Sequence, residues 1–480
     1  MSTKFAKLFS RSLPHTPTED QERTIKLLTD FIYSGSSDDL FLLKGYAGTG
    51  KTTLVSTLIQ ILPKIGMKSA LLAPTGRAAK VLANYSKQSA NTIHKKIYFF
   101  NSTADGSMRL KLGTNKHKKT IFFIDEASMI PDNNTAGNFS QHSLLDDLVN
   151  YVYQGENCKI ILIGDTAQLP PVGLDISPAL DIDYLRASFS LDIIHDELTE
   201  VVRQERSSGI LTNATSIREK LLYGDFELPL FKTKEAPHFH RITGSDFEEI
   251  LNDTFNMNAP EDSVIITRSN KRANSYNNEI RNRILYKHEE ISAGDYIMVV
   301  KNNYFWLPED SKTGFIANGD IAEILKVSNI EELYGYRFAN ATIRLIDYPD
   351  EENLEVKLLI DTISSETPSL SYNENKKLYN TVMEDYKDIP QKKKRMEELK
   401  KNPYFNALQI KFSYALTCHK TQGGQWKNVF IDQGYFKEDM LGTEYLRWLY
   451  TAITRATENV YLVNFKDEFF EEVNDVFFYE

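Results

Sequence analysis

The chain predicts an α/β fold of parallel, doubly wound sheets that carry two inserted β-rich elements. Three observations point there. Short β-rich runs recur at Leu40–Leu43, Ser69–Ala73, Thr120–Ile124 and Lys159–Ile163, with helix-like segments between several of them. A second α/β unit begins at Ser263–Thr267 and resumes at Gln409–Thr417 and Asn459–Val463. Between the first run and a helix-like stretch, Leu54–Leu62, lies Gly45-Tyr-Ala-Gly-Thr-Gly-Lys-Thr-Thr53, which fits the phosphate-binding pattern G-x-x-x-x-G-K-[ST].

Each element has a local reason. Leu40-Phe41-Leu42-Leu43 is continuously apolar, as a strand buried on both faces requires. In the loop, Gly45, Gly48 and Gly50 let the backbone turn its N–H groups towards phosphates, with Thr49 and Thr53 completing it. Lys51 is placed to reach the β- and γ-phosphates, and the Thr52 hydroxyl to ligate Mg²⁺. Ligands of such sheets bind beyond the carboxyl ends of the strands. Three runs are followed at once by Gly45, Asp125 and Gly164, so these segments should converge on one site. Between Lys95 and Lys119, Ile97–Phe100, a turn at Asp105-Gly106 and Met108–Leu110 read as an inserted β-hairpin. Runs at Tyr296–Val300, Ile321–Val327, Ala341–Ile346 and Glu355–Ile360 are divided by Asn318-Gly319-Asp320 and Tyr348-Pro349-Asp350, which suits a small barrel. Tyr372 to Lys401 reads as two charged helices broken at Ile389-Pro390. The expected units are 1–94 with 119–190, the hairpin 95–118, then 191–284 with 408–480, and the barrel with its helical extension, 285–407.

Composition narrows the class. With 480 residues, 41% hydrophobic and 25% charged, the chain suits several globular domains. A net charge of −10 argues against a protein that coats nucleic acid over its whole surface, though not against a locally basic groove. Lys111 to Lys119 and Gln391 to Lys401 are basic runs, and Asp467 to Glu480 is acidic. Two cysteines, Cys158 and Cys418, provide neither a disulfide framework nor a metal cluster. Met1 to Arg11 lacks a signal-peptide core, and no apolar stretch approaches the ~20 residues of a membrane span. A cytoplasmic location without membrane partners is the expectation.

The chemistry gathers around the loop. Ile121–Ile124 ends in Asp125-Glu126. Beside a phosphate loop, Asp125 would hold Mg²⁺ through water, and Glu126 would orient and deprotonate the attacking water. Gln168, in Gly164-Asp-Thr-Ala-Gln-Leu-Pro-Pro171, can contact both a γ-phosphate and that water, because an amide donates and accepts without net charge. Arg203 and Arg455 are candidates for stabilising charge on the transferred phosphoryl group. If both belong to the second α/β unit, nucleotide sits in the cleft between the units and closure depends on ATP.

The ordered set resembles superfamily 1B DNA helicases, the group containing the phage Dda and bacterial RecD-like enzymes. Gln21 resembles that family's adenine-reading glutamine. Residues 45–53 resemble motif I, 71–82 motif Ia, Thr92-Ile93-His94 motif Ib, Asp125–Ser128 motif II and Gly164–Pro171 motif III. Arg203 falls in motif IV, Tyr414–Gln425 resembles motif V and Leu449–Arg455 motif VI. The resemblance implies two RecA-like motor domains, a hairpin that acts as a strand-separating pin, and a barrel that clamps the translocating strand. It implies ATP and Mg²⁺ as cofactors and movement in the 5′→3′ direction along single-stranded DNA, with unwinding of forked duplexes. Strand-facing positions carried over are Pro74, Thr75, Arg77, Thr92, His94, His419, Lys420 and Gln422. Hydroxyls, amides and a few cations hold phosphates without reading sequence. In the hairpin, Tyr98, Phe99 and Phe100 can present an aromatic wedge, with some facing the core because strand side chains alternate. A monomer is expected; single-strand-binding, replication, recombination or repair proteins are compatible partners. An RNA helicase of the same superfamily, or a nucleotide-gated clamp that displaces no strand, stays open at this point.

Overall fold

The computed structural model describes residues 2–471 apart from 37, 103–107, 132–142, 203–207, 235, 258, 309–310, 312–314 and 349–350; the side chains of 100–102, 108–110, 245 and 256–257 are also left aside. Arg203, the Asp105-Gly106 turn, Pro349-Asp350, the Phe100 side chain and the acidic end 472–480 therefore lie outside the described residues.

The first sheet contains β1 (Asp39–Gly45), β2 (Lys68–Ala73), β3 (Ala90–Thr92), β6 (Thr120–Ile124), β7 (Lys159–Gly164) and β8 (Asp192–Leu198); β4 (Tyr98–Ser102) and β5 (Met108–Leu112) form the separate hairpin. Its order is β3-β2-β6-β7-β1-β8, with every pairing parallel. Alternation assigns the two faces. Ile121 and Phe123 pack with Leu54, Leu58, Phe41 and Leu43 on one side. Phe122 and Ile124 pack with Leu40, Leu42, Leu145 and Leu148 on the other. Because β6, β7 and β1 are adjacent, the segments after them stand side by side. β8 was not legible as a strand, since Asp192-Ile-Ile-His-Asp-Glu-Leu198 alternates polar and apolar at an exposed edge. It pairs with β1, so the first sheet runs to Leu198 and the expected division at 190/191 falls short of it.

The second sheet combines β9 (Phe239–Ile242), β10 (Ser263–Thr267), β16 (Ala415–Thr417), β17 (Trp426–Asp432) and β18 (Ala456–Val463) in the order β16-β10-β17-β18-β9, again parallel. Between its halves, β11 (Tyr296–Val299), β12 (Ile321–Leu333), β13 (Tyr336–Leu345), β14 (Leu354–Leu359) and β15 (Leu408–Phe412) close a five-stranded barrel. β15 reads as part of the motor sheet because Leu408–Thr417 is one β-rich run. The chain leaves the barrel after Phe412 and enters the second sheet at Ala415, so 408–412 belong to the barrel. Helices Tyr372–Glu384 and Lys392–Lys401 flank the expected break at Ile389-Pro390. No helix among the described residues is long and apolar enough to cross a membrane.

The barrel rests on the first motor unit through an acidic turn. Lys80 Nζ donates to Ile346 O (3.0 Å) and Asp347 Oδ1 (3.2 Å). Asp320 is fully buried, accepts from Ala317 N–H at 2.7 Å, and lies against Gly76, where a Cβ would meet its Oδ1 at 2.2 Å. Burial, aided by Asp347, raises the Asp320 carboxyl to about 8 from an ordinary 3.8. A raised carboxyl favours its protonated form in the fold, so its stabilising share is full below 3.8 and is lost as pH rises through about 8. Asp320→Asn keeps the acceptor for Ala317 and removes the charge. Its melting temperature at pH 8 should exceed that of the native chain by ~2–4 °C, with the gap closing towards pH 4. An equal gap at both pH values would assign the effect to packing instead.

Candidate active site

The lysine of the phosphate loop is bonded to the loop's own carbonyls. Gly48 and Gly50 have φ of 75° and 79°, and helix Lys51–Ile61 starts directly from Gly50. A Cβ on Gly50 would lie 2.4 Å from Gln21 Nε2, and one on Gly45 2.9 Å from Lys51 Cγ, so both positions need glycine. Lys51 Nζ donates to Gly45 O (2.5 Å) and Tyr46 O (2.8 Å) and stands 4.0 Å from Asp165 Oδ2. Thr49 is buried with its hydroxyl on Tyr46 O, Thr53 is half-buried, and Thr52 is exposed at the start of the helix. Gln21 caps helix Glu19–Tyr33 from inside: Thr18 N–H donates to its Oε1, and its Nε2 donates to Thr49 O at 3.0 Å. Its carboxamide is thus committed to the loop and the cap.

Asp125, Glu126 and Asp165 form a desolvated acidic cluster facing Lys51. Asp125 accepts from Tyr85 OH (2.5 Å) and from Glu126 N–H (2.9 Å). Glu126 sits in the left-handed region at φ 53°, a conformation that non-glycine residues keep only where their surroundings impose it. Burial raises Asp125, Asp165 and Glu126, the last to about 7, although Arg455 and Lys51 pull it down. Gln168 is buried and its Oε1 has no hydrogen-bond partner, an unsatisfied acceptor three residues after Asp165.

The second unit reaches this cluster through one helix, Thr443–Ile453, and the turn after it. Arg455 is 5% exposed and places Nη1 3.9 Å from Glu126 Oε1, held by Thr451 O and Gly424 O. Thr451 Oγ1 accepts from Leu169 N–H at 2.8 Å, and Gln422 Nε2 donates to Leu169 O at 2.6 Å. Tyr450 OH accepts from Ala47 N–H at 2.8 Å and donates to Asp165 Oδ2 at 2.7 Å. Sequence reading singled out Arg455, in the turn after this helix, and passed over Tyr450 and Thr451. The signal was present: 451 and 455 are one turn apart, and 450 adjoins them.

Several residues read as strand-facing are committed elsewhere. Gln422 is buried in the seam between the units on Leu169 O, so its amide is not free for a strand phosphate. Arg77 lies 3.8 Å over the Trp426 ring and donates to Gln425 O, bolting the first unit to the second. Thr75 and Thr92 use their hydroxyls to cap helices Gly76–Ser86 and Ile93–Ile97. Pro74, preceding Thr75, is half-buried. His94 packs 5.7 Å from Tyr98, and desolvation by the surrounding protein lowers its affinity for a proton, as it does for His419, whose ring still reaches solvent. Lys420 donates to Asn270 Oδ1 and is lowered to about 8 by burial. In the hairpin, Tyr98 OH is tied to Asp147 (2.7 Å), whereas Phe99 is 45% exposed.

Comparisons with known proteins agree with this arrangement. Residues 18–222 match the family described as AAA domain, and residues 412–463 match the UvrD-like helicase C-terminal domain. An uncharacterized protein of Acanthamoeba polyphaga mimivirus is 26% identical, covering 92% of this chain and 98% of that protein. The ATP-dependent DNA helicase dda of Enterobacteria phage T4 is 25% identical over 88% of this chain and 93% of its own length. The ATP-dependent RecD2 DNA helicase of Deinococcus radiodurans is 28% identical over 40% of this chain but only 24% of that protein. With one family match on each motor sheet, two parallel sheets facing one phosphate loop, and a closed barrel inserted in the second, the chain belongs to the superfamily 1B helicases.

Proposed function

We propose that this chain is an ATP-dependent DNA helicase that moves 5′→3′ along single-stranded DNA and opens forked duplexes. The observation that carries the reading is the helix Thr443–Ile453 with its following turn. It brings Tyr450, Thr451 and Arg455 of one unit against the loop, Leu169 and Glu126 of the other. A nucleotide between these walls would be felt by both, which is what converts hydrolysis into relative movement. The likeness to the dda and RecD2 helicases supports DNA as the track.

The donor set fits Mg²⁺. The Thr52 hydroxyl and the Asp125 carboxylate would hold it, oxygen donors suited to a hard cation that keeps several waters and phosphate oxygens. One buried acid, Asp165, and two half-buried ones, Asp125 and Glu126, stand against the cations Lys51 and Arg455, and the orphaned Gln168 Oε1 adds an acceptor. When bound, the ion supplies charge neutralisation on the phosphates. The chain's own residues do the rest. Lys51 leaves the loop carbonyls for phosphate oxygens, Gln168 orients the attacking water, Glu126 takes its proton, and Arg455, with Arg203 as the second arginine, meets the charge on the transferred group. Gln21 would read adenine only by giving up one of its present partners.

Residues 95–118 serve as the pin, with Phe99 as its exposed ring, and the barrel with its helices as the clamp. The direct test is unwinding of duplexes carrying a 5′ or a 3′ tail. Opening of 5′-tailed duplexes only is expected, and preference for the 3′ tail would overturn the polarity. Greater stimulation of ATP turnover by RNA than by DNA oligomers would move the substrate to RNA.

A further inference from the structure

We infer that Tyr450 is a positioning residue that ties closure of the inter-unit cleft to the readiness of the phosphate loop. The inference rests on the ATPase reading above and adds a residue to it. Tyr450 belongs to the second unit, yet its hydroxyl lies inside the first. It is 1% exposed, and its oxygen accepts the Ala47 N–H within the phosphate loop while its proton goes to Asp165 Oδ2. Both partners are consequential. Ala47 lies between Gly45 and Gly48, so its amide direction sets the turn of the loop. Asp165 is a buried carboxylate whose other oxygen takes Ala167 N–H and whose nearest cation is Lys51, 4.0 Å away.

A buried phenol between an amide donor and a carboxylate acceptor is fully used, and removing its oxygen leaves both groups short of a partner. Asp165 would then be left with Lys51 as its main source of relief. The lysine would be drawn towards Asp165 and away from the phosphates, although no group touching nucleotide has been changed. The neighbouring seam contacts, Thr451 on Leu169 N–H and Gln422 on Leu169 O, hold the residues just after Gln168. Tyr450 therefore acts where the first unit's loop and the Asp165–Leu169 segment meet the second unit. Its contacts exist only when the cleft is closed enough for the two units to touch, so strand-driven closure and loop geometry become one event.

Tyr450→Phe keeps the ring and its packing and deletes one oxygen. The test is steady-state ATP turnover of the full chain with and without a single-stranded oligonucleotide, for Tyr450→Phe, Asp165→Asn and the double variant. The expected result is a DNA-stimulated kcat lower by ~10-fold or more for Tyr450→Phe, with KM for ATP moving less than ~3-fold and the melting transition retained. The double variant should be no slower than Asp165→Asn alone, because the phenol acts through that carboxylate. Turnover of Tyr450→Phe at the native rate, or losses that multiply in the double variant, would overturn the inference. A native chain that hydrolyses no ATP would instead overturn the reading on which it rests.

Discussion

Replacing Lys51 by alanine should lower DNA-stimulated ATP turnover by ~10³-fold or more and abolish unwinding, while the chain still folds. Removing one preorganised group aimed at developing phosphoryl charge costs ~10²–10³-fold in related chemistries, and cations inserted at the transition state account for ~10³–10⁵. Lys51 falls in this class because, among the described residues, no second cation is bonded to the loop beside it. Among the described residues, Arg455 faces Glu126 from the far wall, whereas Lys51 Nζ is on the loop itself, bonded to Gly45 O and Tyr46 O. Those carbonyls can release it, so it is stored beside the phosphates it will meet. Folding should survive because alanine suits the first position of helix Lys51–Ile61 and the lysine stem lies over Gly45, which needs no side chain there. Loss of Lys51 also removes a cation that holds Asp125 and Asp165 down, leaving Asp165 only Arg455, so both carboxyls should rise further. Turnover within ten-fold of the native chain, measured beside a melting curve, would falsify the assignment of this loop as the catalytic one.

How much of this was readable in the sequence differs by element. Buried parallel strands were legible because they are short and wholly apolar: Thr120–Ile124 and Ser263–Thr267 have the expected bounds. Edge strands were not, since β8 and β9 carry polar residues on an uncovered side and give no continuous run. The barrel's fifth strand was hidden for another reason. β15 and β16 follow one another with only Ser413 and Tyr414 between, and hydrophobicity does not record a change of sheet. The segments after the strands were placed by topology, so those at Gly45, Asp125 and Gly164 stand side by side, with Lys51 Nζ 4.0 Å from Asp165 Oδ2. Residues that act across the cleft were legible only as types. Arg455 meets the acidic cluster, but Gln422 and Arg77, polar residues read as holding a strand, hold the two units together instead. A sequence cannot distinguish a polar group that contacts a ligand from one that contacts the opposite wall of the same groove.

Glu126→Gln should bind ATP and the single strand yet turn over ~10²–10⁴-fold more slowly, the loss typical of a general base. The substitution is nearly isosteric and keeps an acceptor facing Arg455, 3.9 Å from Oε1, so cleft geometry should persist. It removes only the capacity to take a proton. Glu126 keeps a left-handed backbone at φ 53°, a cost that the fold bears at this position and not at Asp125. Asp125 is not the alternative base, because its carboxylate already accepts from Tyr85 OH and the Glu126 N–H and its remaining lone pairs are the ones that would hold Mg²⁺. Two partners of the acid, Arg455 and Asp125, lie on opposite sides of the cleft, so the base is complete only when the units close. Glu126→Gln should therefore accumulate in the closed, ATP-bound state and grip single-stranded DNA at least as tightly as the native chain. Nucleotide affinity, strand affinity and single-turnover hydrolysis measured together decide the matter. A variant that hydrolyses at the native rate rules out Glu126 as the base. One that loses ATP binding instead shows that the carboxylate positions nucleotide, and the proton acceptor must then be sought elsewhere in the cleft.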